Sequence, residues 1–424
     1  MEPGCIGSIL PRGVREVCRT LAGAGETAWV VGGCLRDILR GRVPRDWDIA
    51  TTARPERVLG LFRRVVPTGI AHGTVTVLMG DESIEVTTLR GEGSYSDGRR
   101  PDSVEFLDDI ADDLSRRDFT INAMAWDPAS GALHDPFGGR VDLRAGVIRA
   151  VGDPGRRFAE DGLRVLRAAR FAATLGFAVE PATREAARAA AAMLERVSAE
   201  RKREELVRML LAPDPTPGLT VLLGSGMAPW VLSPLGEEIA ARGEEVAERA
   251  VVRVAAAASL PVRLAALLFE TSLSSAIPWL WEMRCDRDTR RRVALLLEAG
   301  PGAIAGEEQT PAVVRRRLSR MGRAAAPDLL ELVAAQEAVG GPCAFLPVAR
   351  AVLDAGDPLW NDDLALGGNE LMSLLGIGPG PDVGRILSAL LDHVFEHPGD
   401  NRVDRLADLA GKTFFPPKPK GRVQ

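Results

Sequence analysis

The chain has 424 residues, 46% of them hydrophobic and 26% charged, with a formal net charge of −5. That length provides for more than one domain, no apolar run approaches the ~20 residues of a membrane-spanning helix, and the N-terminus lacks the basic-then-apolar pattern of a secretion signal. The five cysteines form no CxxC or zinc spacing and fit a reducing cytoplasm, the four histidines leave little room for histidine-based metal centres, and the acidic balance argues against indiscriminate nucleic-acid binding.

The first expected helix is amphipathic, Gly13–Gly23. The next stretch, WVVGGCLRDILRGRVPRDWDIATT, runs from Trp29 to Thr52. It reads as an apolar strand (Ala28–Val31), a Gly32-Gly33 turn, a short helix (Cys34–Arg40), a turn (Gly41–Arg45) and a second strand bearing Asp46 and Asp48. Residues i and i+2 of a strand share a side, so these carboxylates project together. Held that close they repel, and a divalent cation such as Mg²⁺, bound through carboxylates and substrate phosphates, relieves the conflict. A Gly-Gly turn entering a helix lets backbone N–H groups approach an anion. Taken singly these are an ordinary turn and a solvated strand edge; in this order they point to nucleotidyl transfer.

GGCLRD followed by RDWDIATT resembles the head motif of the class II tRNA nucleotidyltransferase and bacterial poly(A) polymerase family, the CCA-adding enzymes and their relatives in the polymerase-β superfamily. The resemblance implies that Asp46 and Asp48 hold two Mg²⁺ ions and that Gly32, Gly33 and Arg36 hold a triphosphate.

Further along, a helix is expected over Thr52–Val65 with Pro55 at its start, then strands at Val75–Leu78 and Ser83–Leu89 about a Gly80-Asp81 turn. Glu85, on the later strand, either faces solvent or completes a metal ligand set; its SIEVTTLR context matches the family's E-V-T-T segment and favours the ligand. Gly91–Ser103, which holds the only tyrosine, Tyr95, reads as a mobile loop. In the resembling family a loop here takes part in the switch from adding C to adding A, and its full length counts against CC addition alone. In RRDFTINAMA, a helix N-terminus near Asp118 presents Arg117, Asp118 and Asn122 together, the last two at i, i+4. An aspartate N-cap with surface arginines is the plain alternative, and the string resembles the family's ribose-recognition motif. His134–Gly139 then reads as a turn closing the head.

From Arg156 the pattern is helical, with Phe158, Leu163, Leu166, Phe171 and Leu175 at helical intervals. Asp161 and Arg164 are three apart and share a face, and Arg167 continues the Arg164 face. A surface salt bridge is the plain reading. The string resembles the family's E-D-x-x-R motif, whose Asp and Arg serve as a protein template for the incoming base. A carboxylate accepts from the exocyclic amino group of C or A, whereas U and G present a carbonyl there and leave acceptors unpaired. Ser198–Leu211 is another helix, resembling the last neck motif, and the proline-rich Ala212–Gly218 reads as a hinge.

Glu244–Ala258 and Pro261–Glu270 resemble the HD-type helical region of many relatives. Arg249 and Phe269-Glu270 stand where its metal ligands belong, so a helical body without hydrolase activity is expected. Later arginine-rich helices carry Arg290, Arg291, Arg316 and Arg320, which are either a solvated face or contacts to a tRNA backbone. Asn369–Asp404 resembles the family's C-terminal segment, with a Gly/Pro bend between two helices placed to meet the tRNA elbow. Residues 411–424 are rich in proline and lysine and are expected to be disordered.

The whole reading is an α+β chain. A polymerase-β-like nucleotidyltransferase head with a small mixed sheet (1–150) precedes an all-helical neck for base recognition (151–212), a body (213–340) and a tail (341–410). The resemblance implies a cytoplasmic, magnesium-dependent enzyme acting on tRNA with CTP and ATP, with no membrane and no obligatory protein partner. CCA addition is the first expectation, with A addition alone or poly(A) synthesis as alternatives. A catalytically silent RNA-binding protein is the other class, against which the intact Asp46, Asp48 and Glu85 argue.

Overall fold

The computed structural model describes residues 6–70, 73–90, 109–304 and 308–414. The loop expected over Gly91–Ser103, with Tyr95, and the segment after residue 414 lie outside the described residues. The chain divides into two compact units, Met1–Ser233 and Pro234–Gln424.

The first unit opens with α1 (Ile6–Ile9) and α2 (Arg12–Gly23). In α2, Val14, Val17, Cys18 and Leu21 recur at helical spacing and are buried, and the helix packs on β1 (Ala28–Val31) and β2 (Trp47–Thr51). Between those strands lies α3 (Gly33–Leu39), and α4 (Pro55–Leu61) follows them. Then come β3 (Val65–Gly69), β4 (Thr74–Met79), β5 (Glu82–Thr88) and α5 (Ile110–Ser115), followed by β6 (Ala125–Trp126) and β7 (Leu133–His134). The sheet order is β3-β4-β5-β2-β1-β6-β7; β2 runs parallel to β5 and every other pair is antiparallel. The small mixed sheet expected for the head is therefore present.

Strands β1 and β2 are mostly buried, whereas β5 alternates buried Ile84 and Val86 with exposed Ser83 and Glu85. Trp29, Val31, Ala50, Leu89, Leu114 and Ala125 share one buried cluster. The helix expected to reach Val65 stops at Leu61, and Val65–Gly69 forms an exposed edge strand instead. Two β-branched residues favour extension there, and Pro67 is tolerated at an edge, where no neighbour needs its missing N–H.

A helical layer completes the unit: α6 (Gly139–Ala145), α7 (Pro154–Glu160), α8 (Leu163–Leu175), α9 (Pro181–Ala189), α10 (Ala199–Leu210) and α11 (Thr216–Gly224), with the short parallel pair β8 (Val147–Ile148) and β9 (Ala178–Val179). Helices α10 and α11 both pack on α8. The unit extends beyond the proline-rich Ala212–Gly218 segment to Ser233.

The regular elements of the second unit are all helical among its described residues. Helices Glu245–Ala256, Leu260–Leu267, Arg287–Ile304 and Ala326–Gly340 pack together. Toward the C-terminus, Gly368–Leu375, Pro381–Glu396 and Val403–Phe414 enclose Leu371, Ile386, Leu390, Val394 and Leu406. The last helix takes in residues 411–414 of the segment expected to be disordered. No described helix is long and apolar enough to cross a membrane.

Candidate active site

The site is assembled at the end of β1, where the chain turns through Gly32 into α3. Gly32 has φ +76°, a conformation open mainly to glycine, and a Cβ there would lie 3.1 Å from Arg117 Nη1 and 3.2 Å from Asp48 Oδ2. The residue thus brings bare backbone against a carboxylate and a guanidinium together. Strand register adds the second acid: Val31 pairs with Asp48 on β2, and Asp48 pairs with Glu85 on β5. Paired residues of neighbouring strands point to one face, so Asp48 and Glu85 stand side by side.

Asp46 does not share the strand with Asp48. The strand begins at Trp47, and Asp46 is an exposed residue in the bend before it. The cause is the partner strand: β1 pairs with β2 only as far as Val31 opposite Asp48, after which Gly32 turns away. Asp46 still acts electrostatically. Burial pushes the Asp48 carboxyl up to about 6, Glu85 and Asp46 push it the same way, and Arg117 and Arg36 oppose them.

Asp48 and Glu85 open onto a cavity of about 650 Å³ whose lining includes Gly32, Arg117, Asp161 and Arg201 but not Asp46. Its arginines are mostly committed to other acids. Arg117 donates to Asp113 (3.1 Å), while its own Nε is buried without a partner. Arg36 donates to Asn122 Oδ1 (2.8 Å) and Asp37 (3.0 Å). Asn122 in turn donates to Asp118 Oδ1 (3.1 Å), so the i, i+4 pair read from the sequence is made, although through a 3₁₀ turn (Thr120–Asn122) rather than a helix N-terminus. Asp118 also accepts from the Phe119 N–H, and from Arg167 Nε (2.7 Å) and Nη2 (2.6 Å). Burial alone would raise this carboxyl; Arg167 and the Asn122 and Phe119 donors outweigh it and hold Asp118 far below the usual carboxylate range.

Asp161 and Arg164 do not share a helix face. The expected continuous helix breaks between α7 and α8, where Asp161 is extended (φ −145°, ψ 106°). Gly162 sits at the break against the Met193 backbone, whose carbonyl oxygen would be 2.7 Å from a Cβ at that position. Asp161 accepts from Arg201 (2.8 Å) and from the Leu163 N–H (3.0 Å), and Arg164 donates to Glu160 and to the Arg116 carbonyl (2.8 Å). Both nevertheless line the cavity, as does Arg167.

Arg201, Arg208, Arg170 and Phe171 also line the cavity and were not singled out from the sequence. Two signals were available. Arg164, Arg167 and Arg170 repeat every three residues along α8, and Arg201 and Arg208 lie two turns apart on α10. Arg170 lies over the Phe171 ring at 3.6 Å and pairs with Glu205, which joins α8 to α10.

In the second unit, Arg249 and Glu270, read as replacements for metal ligands, bond directly (2.6 and 2.8 Å). Arg242 (2.8 Å) and the buried Arg253 converge on the same carboxylate, and Phe269 stacks beside Arg253. The Arg249 hydrogen bond, with help from Arg253, holds Glu270 at about 2 against the effect of burial. Of the arginines expected at a tRNA surface, Arg290 covers Trp281 (3.6 Å) and Arg291 approaches Asp288 (3.5 Å). Arg316 pairs with Glu396 (2.8 Å) and, with the exposed Arg320, lines a cavity of about 280 Å³.

Comparison with known proteins agrees with this architecture. Residues 28–149 match the family described as poly A polymerase head domain, and residues 176–238 match the probable RNA and SrmB-binding site of polymerase A. A CCA-adding enzyme of Leuconostoc citreum is 34% identical over 398 residues, which are 93% of this chain and 94% of that protein. One from Levilactobacillus brevis is 46% identical over 220 residues, 52% of this chain and 55% of that protein; in matches of this kind the chain spans about half the length of the curated relatives. Among solved structures, the Bacillus stearothermophilus CCA-adding enzyme in complex with CTP superposes with a TM-score of 0.74 at 29% identity, covering 97% of this chain and 98% of that one. The Thermotoga maritima CCA-adding enzyme complexed with tRNA-CCA shares the fold at a TM-score of 0.66 and 21% identity, covering 98% of this chain and 96% of that one.

Proposed function

The chain belongs to the family of CCA-adding enzymes, and we propose that it adds the 3′-terminal CCA to tRNA from CTP and ATP without a nucleic-acid template. In each cycle the terminal 3′-hydroxyl attacks the α-phosphorus, one P–O bond forms, another breaks, and pyrophosphate leaves. The observation that carries this reading is Asp48. It is a half-buried carboxylate raised to about 6, in register with Glu85, against the bare backbone of Gly32, and open to an arginine-lined cavity.

Asp48 and Glu85, with Asp46 beside them, suit a divalent cation. Among the described residues no group of three acidic, histidine or cysteine side chains forms a ready-made metal cage, which fits an ion that takes carboxylates together with substrate phosphates. Two Mg²⁺ ions held there would lower the pKa of the attacking hydroxyl and neutralise charge on the departing pyrophosphate. The rest falls to the chain itself. The Gly32 and Gly33 backbone, Arg36 and the unpaired Nε of Arg117 take the triphosphate. Asp118 and Asn122 meet the ribose, Asp118 accepting a hydroxyl in exchange for one of its present donors.

Asp161 and Arg164 read the base. A carboxylate offers about four acceptor positions, and Asp161 has one free beside those filled by Arg201 and Leu163. We assign the head to 1–150, the neck to 151–212, the body to 213–340 and the tail to 341–410, with Arg316 and Arg320 at the tRNA backbone.

Three tRNA transcripts test the reading: one ending before the first C, one after CC and one after complete CCA, each offered CTP and ATP separately and together. Both incomplete transcripts should grow to CCA and stop. Extension of the CC-ended transcript alone would assign A addition, growth past CCA would assign poly(A) synthesis, and no incorporation would leave RNA binding without catalysis.

A further inference from the structure

A second basic cavity lies in the first unit, apart from the one that holds Asp48. It measures about 260 Å³ and is lined by Leu39, Arg40, Arg140, Leu143, Arg144 and Phe177. Arg40 closes the C-terminal end of α3, whose other end is the Gly32-Gly33 turn. Seven helical residues rise about 10 Å, so the two cavities are separated by roughly that length. Arg36 and Arg40 are i, i+4 on α3 and form a basic stripe from one toward the other.

The three arginines are not spent on acids. Among the described residues neither the Arg140 nor the Arg144 guanidinium has a carboxylate partner, although the Arg140 main-chain N–H donates to Asp135 (2.9 Å). The acid between them on α6, Asp142, is buried and taken by Thr120 (2.7 Å) and Arg149 (3.1 Å). Arg140 and Arg144 are themselves i, i+4, a like-charge spacing that weakens an isolated helix. Arg40 is anchored by one bond from Nη2 to the Leu175 carbonyl (3.1 Å) and by the Phe177 ring 4.9 Å away. Its Nη1 is buried and has no acceptor. Such a donor is expensive unless a ligand supplies the acceptor; Arg42 and Arg36 add positive charge next to it, opposed by Asp37.

We propose that Arg40, Arg140 and Arg144 form a phosphate-binding subsite that takes a backbone phosphate of the RNA substrate, with Phe177 and the Leu39–Leu143 wall flanking the adjoining sugar. The choice of RNA as the source of the phosphate rests on the function proposed above. The stripe from Arg36 to Arg40 leads from the nucleotide cavity, and a strand whose 3′ end lies at Asp48 has further phosphates to place. Phosphate contacts of this kind position a substrate without reading its sequence.

The test is equilibrium binding of a labelled tRNA transcript ending in CC, without nucleotide, over a range of salt concentrations. It compares the full chain with the doubly substituted Arg140→Ala/Arg144→Ala variant. The variant keeps the partly buried Arg40 and Phe177 stack, so its fold is preserved; matching thermal unfolding curves verify this. The expected result is a Kd raised about tenfold and a shallower dependence of log Kd on log salt, by roughly one unit for one lost phosphate contact. CTP affinity, read by displacement of a fluorescent analogue, should stay within about twofold. An unchanged Kd and salt slope would overturn the proposal. So would tight binding of inorganic phosphate or pyrophosphate that the variant loses while tRNA binding stays intact, because the pocket would then serve a free anion. Since binding is read without turnover, a wild-type chain that binds tRNA through these arginines but incorporates nothing would refute the catalytic reading and leave this one standing.

Discussion

Asp48 in the first unit and Glu270 in the second are both acidic side chains set among arginines, yet burial raises one to about 6 while its donors hold the other at about 2. The difference lies in where the guanidinium groups point. Arg242, Arg249 and Arg253 all donate to Glu270. Around Asp48 the nearest arginines are held elsewhere, Arg117 by Asp113 and Arg36 by Asn122 and Asp37. Asp113 is 1% exposed and sits below its usual pKa against the effect of its own burial, so that restraint is a strong one. Similar residue types thus produce a closed ion cluster in one place and, in the other, a carboxylate raised by burial beside the bare backbone of Gly32. The closed cluster suits a structural brace, and the open one suits a site completed by its ligands.

The sharpest way to press the contrast is to neutralise each acid in turn. Asp48→Asn should lower nucleotide incorporation at least about 10³-fold, the scale expected when a main electrostatic stabiliser of a transition state is lost. Glu270→Gln should leave the rate per folded molecule within about twofold, measured on the same CC-ended transcript.

Asp161 lies between the extremes, with Arg201 as its ion-pair partner among the described residues and Arg167 acting on it at longer range. Asp161→Asn replaces one acceptor by a donor. The preference for CTP over UTP should fall by roughly 10², read from the kcat/KM ratio of the two nucleotides. An unchanged ratio would mean that the base is read elsewhere.

Stability should respond in the opposite sense. Glu270→Gln leaves Arg253, which is 1% exposed, without its carboxylate, and should cost about 2–3 kcal/mol. The folded-state pKa of Glu270 lies below the ordinary 4.5. Its contribution is therefore fully present above about pH 4.5 and lost as the pH falls toward 2. Urea unfolding of wild type and Glu270→Gln should differ at pH 7 and converge as the pH falls from about 4.5 toward 2; a constant gap would assign the loss to packing alone. The smallest effect is expected at the bend that frees Asp161 from helix α8. Gly162→Ala drives a methyl against the Met193 carbonyl and should cost about 1–3 kcal/mol in the same assay.

Much of this was legible before any coordinates, for identifiable reasons. The Gly32-Gly33 turn and the strand that carries Asp48 follow from local rules, because strand alternation and glycine turns are set by neighbouring residues; Glu85 was singled out by the resemblance of SIEVTTLR to the family's E-V-T-T segment. What was not legible depends on distant partners. Asp46 left the strand because β1 stopped pairing opposite Asp48. Asp161 left the helix because Gly162 sits against the Met193 backbone, some thirty residues later in the chain. Arg201 gave no local sign of meeting Asp161, since a run of alternating charges reads as a solvated face. Arg249 and Glu270 were recognised as replacements, but their bonding to each other needed two helices brought together. The Pro67 edge strand was lost to a helical pattern that continued past its physical end at Leu61.

The first unit holds Asp48 raised by burial and by its acidic neighbours, only partly offset by Arg117 and Arg36, until its ligands arrive. Thermal unfolding at neutral pH in EDTA, then with Mg²⁺ and CTP, tests it for wild type and Asp48→Asn. In EDTA the variant should be the more stable, by up to about 3 kcal/mol for a carboxyl raised by two pK units. Mg²⁺ with CTP should then stabilise the wild type and leave the variant nearly unchanged. A variant less stable than wild type in EDTA would contradict the account, because it would show that Asp48 is already satisfied by its arginines as Glu270 is.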